Sequence, residues 1–253
     1  MKLTLENYFT QNNRYLSNSK VGDWLRDKNY FYRKNITREI TREITDPLII
    51  GSAVDYWIMN GEDKFRERYL VVSRRSKKQP DYEYQLNQTM FTNIEKMAKN
   101  ISSQTAFKHL EGYKCQEILQ VEGVLGEHFD GLCGIPDWYK VDGDQAFIVD
   151  LKTAENANPQ KYYYKCEEYG YFRQAAFYAF LLEENFKIKK ENITYRHLVV
   201  EKDKLGINNV YAFILPERKV FDAYEDLLNV ITDISTEKDF APHDADWVNA
   251  IML

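Results

Sequence analysis

Apolar positions along the chain fall first into helical periods and then, near its middle, into strand periods. Val21, Trp24 and Leu25 share a helical face after a Ser/Asn-rich start, so residues 15–34 predict a short helix followed by an aromatic and basic loop. Residues 35–46 alternate Thr, Arg, Glu and Ile and predict a solvated segment. After Asp46-Pro47, the positions Ile50, Val54, Trp57 and Ile58 mark a buried helix that Asn60-Gly61 closes. Residues 69–73 predict a strand, followed by a basic loop, Arg74-Arg75-Ser76-Lys77-Lys78. Leu86, Met90, Ile94 and Met97 then mark one amphipathic helix, and Ala106, Phe107 and Leu110 a second that ends at Gly112.

The period then changes. Residues 115–122, 129–140 and 145–152 are short, aromatic or β-branched, and separated by Gly-containing turns such as Val141-Asp142-Gly143-Asp144, which predicts a three-stranded antiparallel meander. Helical spacing returns from Pro159 to about Phe186, with Gly170 as a break and Phe172, Ala175, Ala176, Ala179 and Leu182 on the apolar side. Strands over 193–201 and 210–215 follow, and a last helix starts at Pro216. This order predicts an α/β or α+β domain with a central mixed sheet flanked by helices. A single domain is expected: a mainly helical N-terminal part (1–112), a sheet and its helices (113–235) and a C-terminal tail (236–253).

Composition narrows the function classes. With 253 residues, 44% of them apolar, the chain can bury a core, and a net charge of −5 argues against coating nucleic acid by bulk positive charge. A local basic groove is still compatible with that total. No window approaches the roughly 18 apolar residues of a membrane helix, and the first residues lack a signal-peptide core, so no membrane association and a cytoplasmic home are expected. Cys115, Cys133 and Cys166 are too widely spaced for a disulfide framework or a CxxC metal site. The four histidines show no paired spacing for zinc, and there is neither a G-x-S-x-G elbow nor a phosphate-binding GxxxxGK[ST] loop.

The sharpest chemistry lies in Gly134-Ile135-Pro136-Asp137 and, after twelve intervening residues, Asp150-Leu151-Lys152. A tight turn makes the two strands neighbours. Side chains two apart share a strand face, which points Asp150 and Lys152 one way and Phe147, Val149 and Leu151 into the core. Alone, D-x-K on a strand edge is a common solvated charge pair. Two facing carboxylates beside a lysine are another matter, because like charges at close range are tolerated mainly around a cation. Oxygen donors of this kind suit Mg²⁺ or Mn²⁺, and the lysine is placed to orient or help deprotonate a water for phosphodiester hydrolysis.

These two segments, followed by a helix containing Tyr171-x-x-Gln174-Ala-Ala-Phe-Tyr178, resemble the PD-(D/E)XK nuclease superfamily, and within it the RecE and RecB-like exonucleases, including the lambda-exonuclease-like ones. Upstream, Leu16-Ser17-Asn18-Ser19-Lys20 resembles the family's Ser-rich start, and Gly51-Ser52-Ala53-Val54-Asp55 its Gly-Ser/Thr-Ala-x-His helix. The resemblance spans about residues 15–180. It implies a restriction-endonuclease-like core and a Mg²⁺- or Mn²⁺-dependent DNA nuclease. The implied activity is exonuclease action on double-stranded ends in recombination or repair, by attack of a metal-activated water. A single-strand annealing protein and further copies of the chain are implied partners. Asp137 and Asp150 are carried over as metal ligands, with the Leu151 main-chain carbonyl beside them, and Lys152 as the catalytic lysine. Gln174 and Tyr178 are carried over as residues that hold the lysine or the DNA backbone. The family pattern has His where this chain has Asp55, an oxygen donor that replaces imidazole sensibly around Mg²⁺. Iron–sulfur variants need four cysteines, so no cluster is expected.

Other features carry rival readings. Glu117 and Glu122 lead into the meander, Arg66 and Arg68 adjoin the basic loop, Arg33 and Lys34 follow three aromatic residues, and Tyr162-Tyr163-Tyr164 offers faces for bases. Rival functions on the same fold are an endonuclease, a module dependent on a helicase or annealing partner, and a non-catalytic module that binds DNA or protein.

Overall fold

The computed structural model describes residues 2–5, 7–41, 43–73, 84–202, 207–238 and 240. The chain opens with α1 (Tyr8–Gln11), β1 (Tyr15–Leu16), α2 (Asn18–Arg26), α3 (Lys28–Phe31) and a π-helical turn over Tyr32–Ile36. The Asp27 carboxylate accepts the Tyr30 N–H at 2.6 Å, which caps α3. In α4 (Asp46–Arg68), Ile49, Ala53, Val54, Trp57 and Phe65 are buried. Gly61 has φ 84°, so the expected stop is a kink, and the helix resumes beyond it.

β2 (Tyr69–Val72) pairs in parallel with β3 (Tyr84–Asn87), a strand the apolar spacing assigned to a helix through Leu86. Asn87 then caps α5 (Gln88–Ser103) by accepting the Met90 N–H at 2.9 Å. The helix expected around Ala106 is the single turn α6 (Thr105–Lys108).

Five strands follow where three were expected: β4 (Lys114–Cys115), β5 (Leu119–Leu125), β6 (Phe129–Gly134), β7 (Trp138–Asp142) and β8 (Gln145–Ala154). Residues 129–140 do not form one strand. Pro136 interrupts them, lacking an N–H to donate. β6 therefore pairs with β1 and β5, while β7 and β8 form the hairpin the turn sequence predicts and belong to another sheet. After α7 (Pro159–Glu168) and α8 (Tyr171–Phe186), β9 (Ile193–Glu201) lies parallel to β8, β10 (Val210–Ile214) antiparallel to β9, and α9 (Glu217–Thr236) ends the fold.

The main sheet has the order β10-β9-β8-β7-β4, mixed as expected. Ala146, Ile148, Tyr195 and Val199 pack on α8 from one face, and Val149, Leu151, Leu198 and Val200 pack on α4 and α5 from the other. β8 is therefore covered on both sides, as its nearly continuous apolar sequence requires. Among the described residues, no helix is long and apolar enough to cross a membrane.

Candidate active site

The kink that separates the two sheets delivers the first carboxylate. The register Trp138↔Val149, continued by one residue, sets Asp137 beside Asp150. Asp137 Oδ2 accepts the Leu151 N–H at 2.7 Å, and its carbonyl accepts the Gln116 N–H at 3.0 Å. Asp150 is only 2% exposed. Asp150 and Lys152 share a face, as the alternation predicts, but that face lies under α8 and is not a sheet surface. Val149 and Leu151 are core residues, whereas Phe147 is half-buried with the Arg196 guanidinium 5.0 Å above its ring.

Lys152 is held from three sides. Its ammonium pairs with Asp150 Oδ2, donates to Gln174 Oε1 at 3.0 Å and lies 4.7 Å from the centre of the Tyr171 ring. The Gln174 amide donates in turn to Asp150 Oδ1 at 3.3 Å and so bridges both members of the pair, and the Tyr195 hydroxyl reaches the same oxygen at 3.5 Å. Burial lowers the lysine's affinity for its proton, but Asp150, Asp137 and Tyr171 outweigh it, and the net shift is upward. The pair with Asp150 thus favours the charged ammonium. Tyr178 does not touch the lysine: its hydroxyl donates to the Ile135 carbonyl at 2.9 Å, so it holds the segment that carries Asp137.

Asp55 arrives from α4. Its Oδ2 accepts from the Gln116 amide at 3.4 Å, while its buried Oδ1 has no hydrogen bond. Burial first, and then Asp150, raise its pKa to about 6 against the pull of Lys152 and Arg68. Asp137 is pushed well above the carboxylate range by burial, Asp150 and Asp55. Asp150 Oδ2 also lacks a hydrogen bond of good geometry, leaving the ion pair with Lys152 as its partner. Three carboxylates, Asp150 buried and Asp55 and Asp137 half-buried, thus feel one ammonium that pairs directly with Asp150 alone, and the all-oxygen donor set fits a hard divalent cation. Among the described residues, no three acidic, His or Cys side chains already converge on one point, since Asp150 is turned to Lys152 and Asp137 to the Leu151 N–H. The contact Leu151 makes here is through its N–H; a role for its carbonyl belongs to the proposal below.

The remaining candidates lie elsewhere. Glu117 accepts from Lys114 and from the Tyr139 hydroxyl, and Glu122 from the Tyr15 hydroxyl. Arg33 pairs with Glu39 at 2.9 Å and Lys34 with Asp23 at 2.8 Å, so neither is the unpaired cation that a DNA end would need. Arg66 is bound to Glu62, and Arg68 lies over the Tyr56 ring. The basic loop 74–78 and the tail residues Trp247, Ile251 and Leu253 fall outside the described residues. All three cysteines are free, with Cys133 and Cys166 buried.

His197, one of the four histidines without paired zinc spacing, pairs in register with Asp150 across the parallel β8–β9 ladder. It is 1% exposed, its Nδ1 shares a 2.8 Å hydrogen bond with the Tyr162 hydroxyl, and its buried Nε2 has none. Burial pushes its pKa down to about 3, so the ring is neutral. The available signal was the alternation Tyr195, His197, Val199, but the register that brings it to Asp150 is non-local.

Comparison with known proteins bears on the family and the fold. The model of the family described as "PDDEXK-like domain of unknown function (DUF3799)" matches residues 26–248. The chain belongs to that family, and so to the PD-(D/E)XK nuclease superfamily. The crystal structure of a protein named "Putative exonuclease" from Eubacterium rectale is similar with a TM-score of 0.66 at 17% identity, over 93% of this chain and 87% of that one. This is a likeness of fold. A second structure, SSO0001, covers 90% of this chain and 88% of its own at 11% identity, with a TM-score of 0.30, too low to argue from. No curated protein matches the chain.

Proposed function

We propose that the protein is a Mg²⁺- or Mn²⁺-dependent DNA nuclease that hydrolyses phosphodiesters at double-stranded ends, in recombination or repair. The observation that carries this is the Asp150–Lys152 ion pair with Asp55 and Asp137 electrostatically coupled to it, on a PDDEXK-like fold. Asp55, Asp137 and Asp150 would hold the cation, with the Leu151 carbonyl adjoining. When bound, it supplies Lewis-acid polarisation of the phosphodiester and a lowered pKa for water. Lys152 offers fixed positive charge to the phosphate oxygens, where negative charge grows in the transition state. Gln174 keeps the lysine aligned with Asp150, and Tyr178 keeps Asp137 in place. The name borne by the Eubacterium rectale protein favours action from ends over internal cutting. A single-strand annealing protein and further copies of the chain are the partners consistent with that role.

The test is digestion of end-labelled linear duplex with Mg²⁺ or Mn²⁺, beside a covalently closed circle. Metal-dependent release of label is expected from the wild type, at least 10²-fold slower in Asp150→Asn and Lys152→Ala, with the circle resistant. Equal cutting of the circle would make it an endonuclease. A folded protein that cleaves no DNA would reject the catalytic reading.

A further inference from the structure

From Lys152 an aromatic surface leads outward that the catalytic reading leaves without a task. The Tyr171 ring beneath the lysine has its centre 5.8 Å from that of Tyr169, which is 54% exposed and outside the core clusters. Gly170 lies between them in the left-handed conformation (φ 67°) and turns the chain from α7 into α8, which sets the two rings side by side. Lys165 stands 5.0 Å from the Tyr169 ring centre and 3.5 Å from its hydroxyl. The acids at this turn are already neutralised, Glu168 by Lys165 at 2.7 Å and Glu167 by Lys219 at 2.8 Å. What the turn presents to solvent is an aromatic face with the Lys165–Glu168 ion pair at its edge.

We propose that Tyr169, backed by Tyr171 and flanked by Lys165, is a stacking platform for an unpaired nucleobase next to the phosphate at Lys152, so that the substrate strand is engaged as a single strand or a frayed duplex end. The proposal rests on the nuclease reading and narrows its substrate. A base exposes its face only when it leaves the helical stack, so a platform of this kind selects unpaired nucleotides and tolerates any sequence. Stacking also requires no excess of positive charge, which suits a chain of net charge −5. The two contacts from Lys152 to Tyr171 and from Tyr171 to Tyr169, at 4.7 and 5.8 Å, keep the platform within about a nucleotide or two of the reacting phosphate.

Oligonucleotides carrying 2-aminopurine at successive positions, as single strands and as duplexes with frayed or cross-linked ends, test this in two ways. Fluorescence is read with Mg²⁺ in the slowed Asp150→Asn background, within a time short against cleavage, and KM and kcat are read in the Asp150 protein. Quenching is expected at one position near the end. Tyr169→Phe keeps it, whereas Tyr169→Ala loses it and raises Kd and KM about 5- to 150-fold, the range that stacking of one base supplies. KM should change more than kcat, and cross-linked ends should bind more weakly than frayed ones. A folded Tyr169→Ala with unchanged quenching and KM would overturn the platform and leave the nuclease reading standing. A wild type that neither binds nor cleaves DNA would overturn both.

Discussion

Lys152 and Asp150 depend on each other more than either depends on solvent. Asp150 is 2% exposed, and removing its ammonium partner strands a charge in the interior. Lys152→Met is therefore expected to destabilise the metal-free protein by about 3–5 kcal/mol in urea unfolding with EDTA, and adding Asp150→Asn to recover most of the loss. A single variant within about 0.5 kcal/mol of wild type would contradict the pairing. Asp55 makes the opposite case. Its folded-state pKa of about 6 lies above the ordinary 3.8, so between those values the folded protein binds more protons than the unfolded one. Stability then falls as pH rises from about 4 to about 6, and the charged Asp55 costs up to about 3 kcal/mol at pH 7. Asp55→Asn should stabilise the metal-free protein at pH 7 and leave it unchanged near pH 3.5, which thermal unfolding across that range decides. Asp137, Asp150 and Lys152 were legible in the sequence because strand alternation and a hairpin turn are local. His197 was not, since its neighbour in space lies 47 positions away in the chain (197 − 150).

At the scale of elements, the site depends on how closely α8 approaches the end of β6. A Cβ on Gly134 would sit 2.7 Å from the Tyr178 ring and 3.1 Å from a Leu181 methyl. Tyr178 is also the donor to the Ile135 carbonyl, two residues before Asp137. Gly134→Ala must therefore move the ring, lose that hydrogen bond and shift the segment bearing Asp137. The expected cost is about 1–3 kcal/mol of stability together with reduced cleavage. Tyr178→Phe, which keeps the packing and removes only the hydroxyl, should cost about 1 kcal/mol and separate the two effects. Full activity and stability in Gly134→Ala would show that the contact does not position Asp137. The elements that sequence reading placed well carry their own punctuation: the β7–β8 hairpin has Asp142-Gly143, the α7–α8 break has Gly170, and α9 has Pro216. Those it missed, β1 and β3, are two and four residues long and exist only through distant partners, β1 through β6 and β3 through β2. The split of residues 129–140 follows from Pro136, whose sequence signal was read as chemistry and not as the end of a strand.

For the whole molecule, the site is assembled from different layers. Asp55 is carried by α4 on one side of the main sheet, Asp137 and Asp150 by β7's approach and β8, and the Gln174 that steadies Lys152 by α8 on the other side. The repulsion of Asp55 by Asp137 and Asp150 therefore acts between packing layers, and a cation that relieves it ties those layers together. Ligands that bind only the folded state stabilise it by RT ln(1 + [L]/Kd), about 2.7 kcal/mol at 100 times Kd. Mg²⁺ or Mn²⁺ should thus raise the thermal midpoint of the wild type. Asp137→Asn should raise the midpoint of the metal-free protein by removing a carboxyl whose charged form burial, Asp150 and Asp55 oppose, and abolish most of the metal-dependent increment. The increment should also shrink as pH falls through about 6, where Asp55 takes up a proton that competes with the cation. A midpoint insensitive to metal at pH 7, or an increment that survives Asp137→Asn in full, would place any cation outside this cluster and detach the catalytic proposal from the residues that carry it.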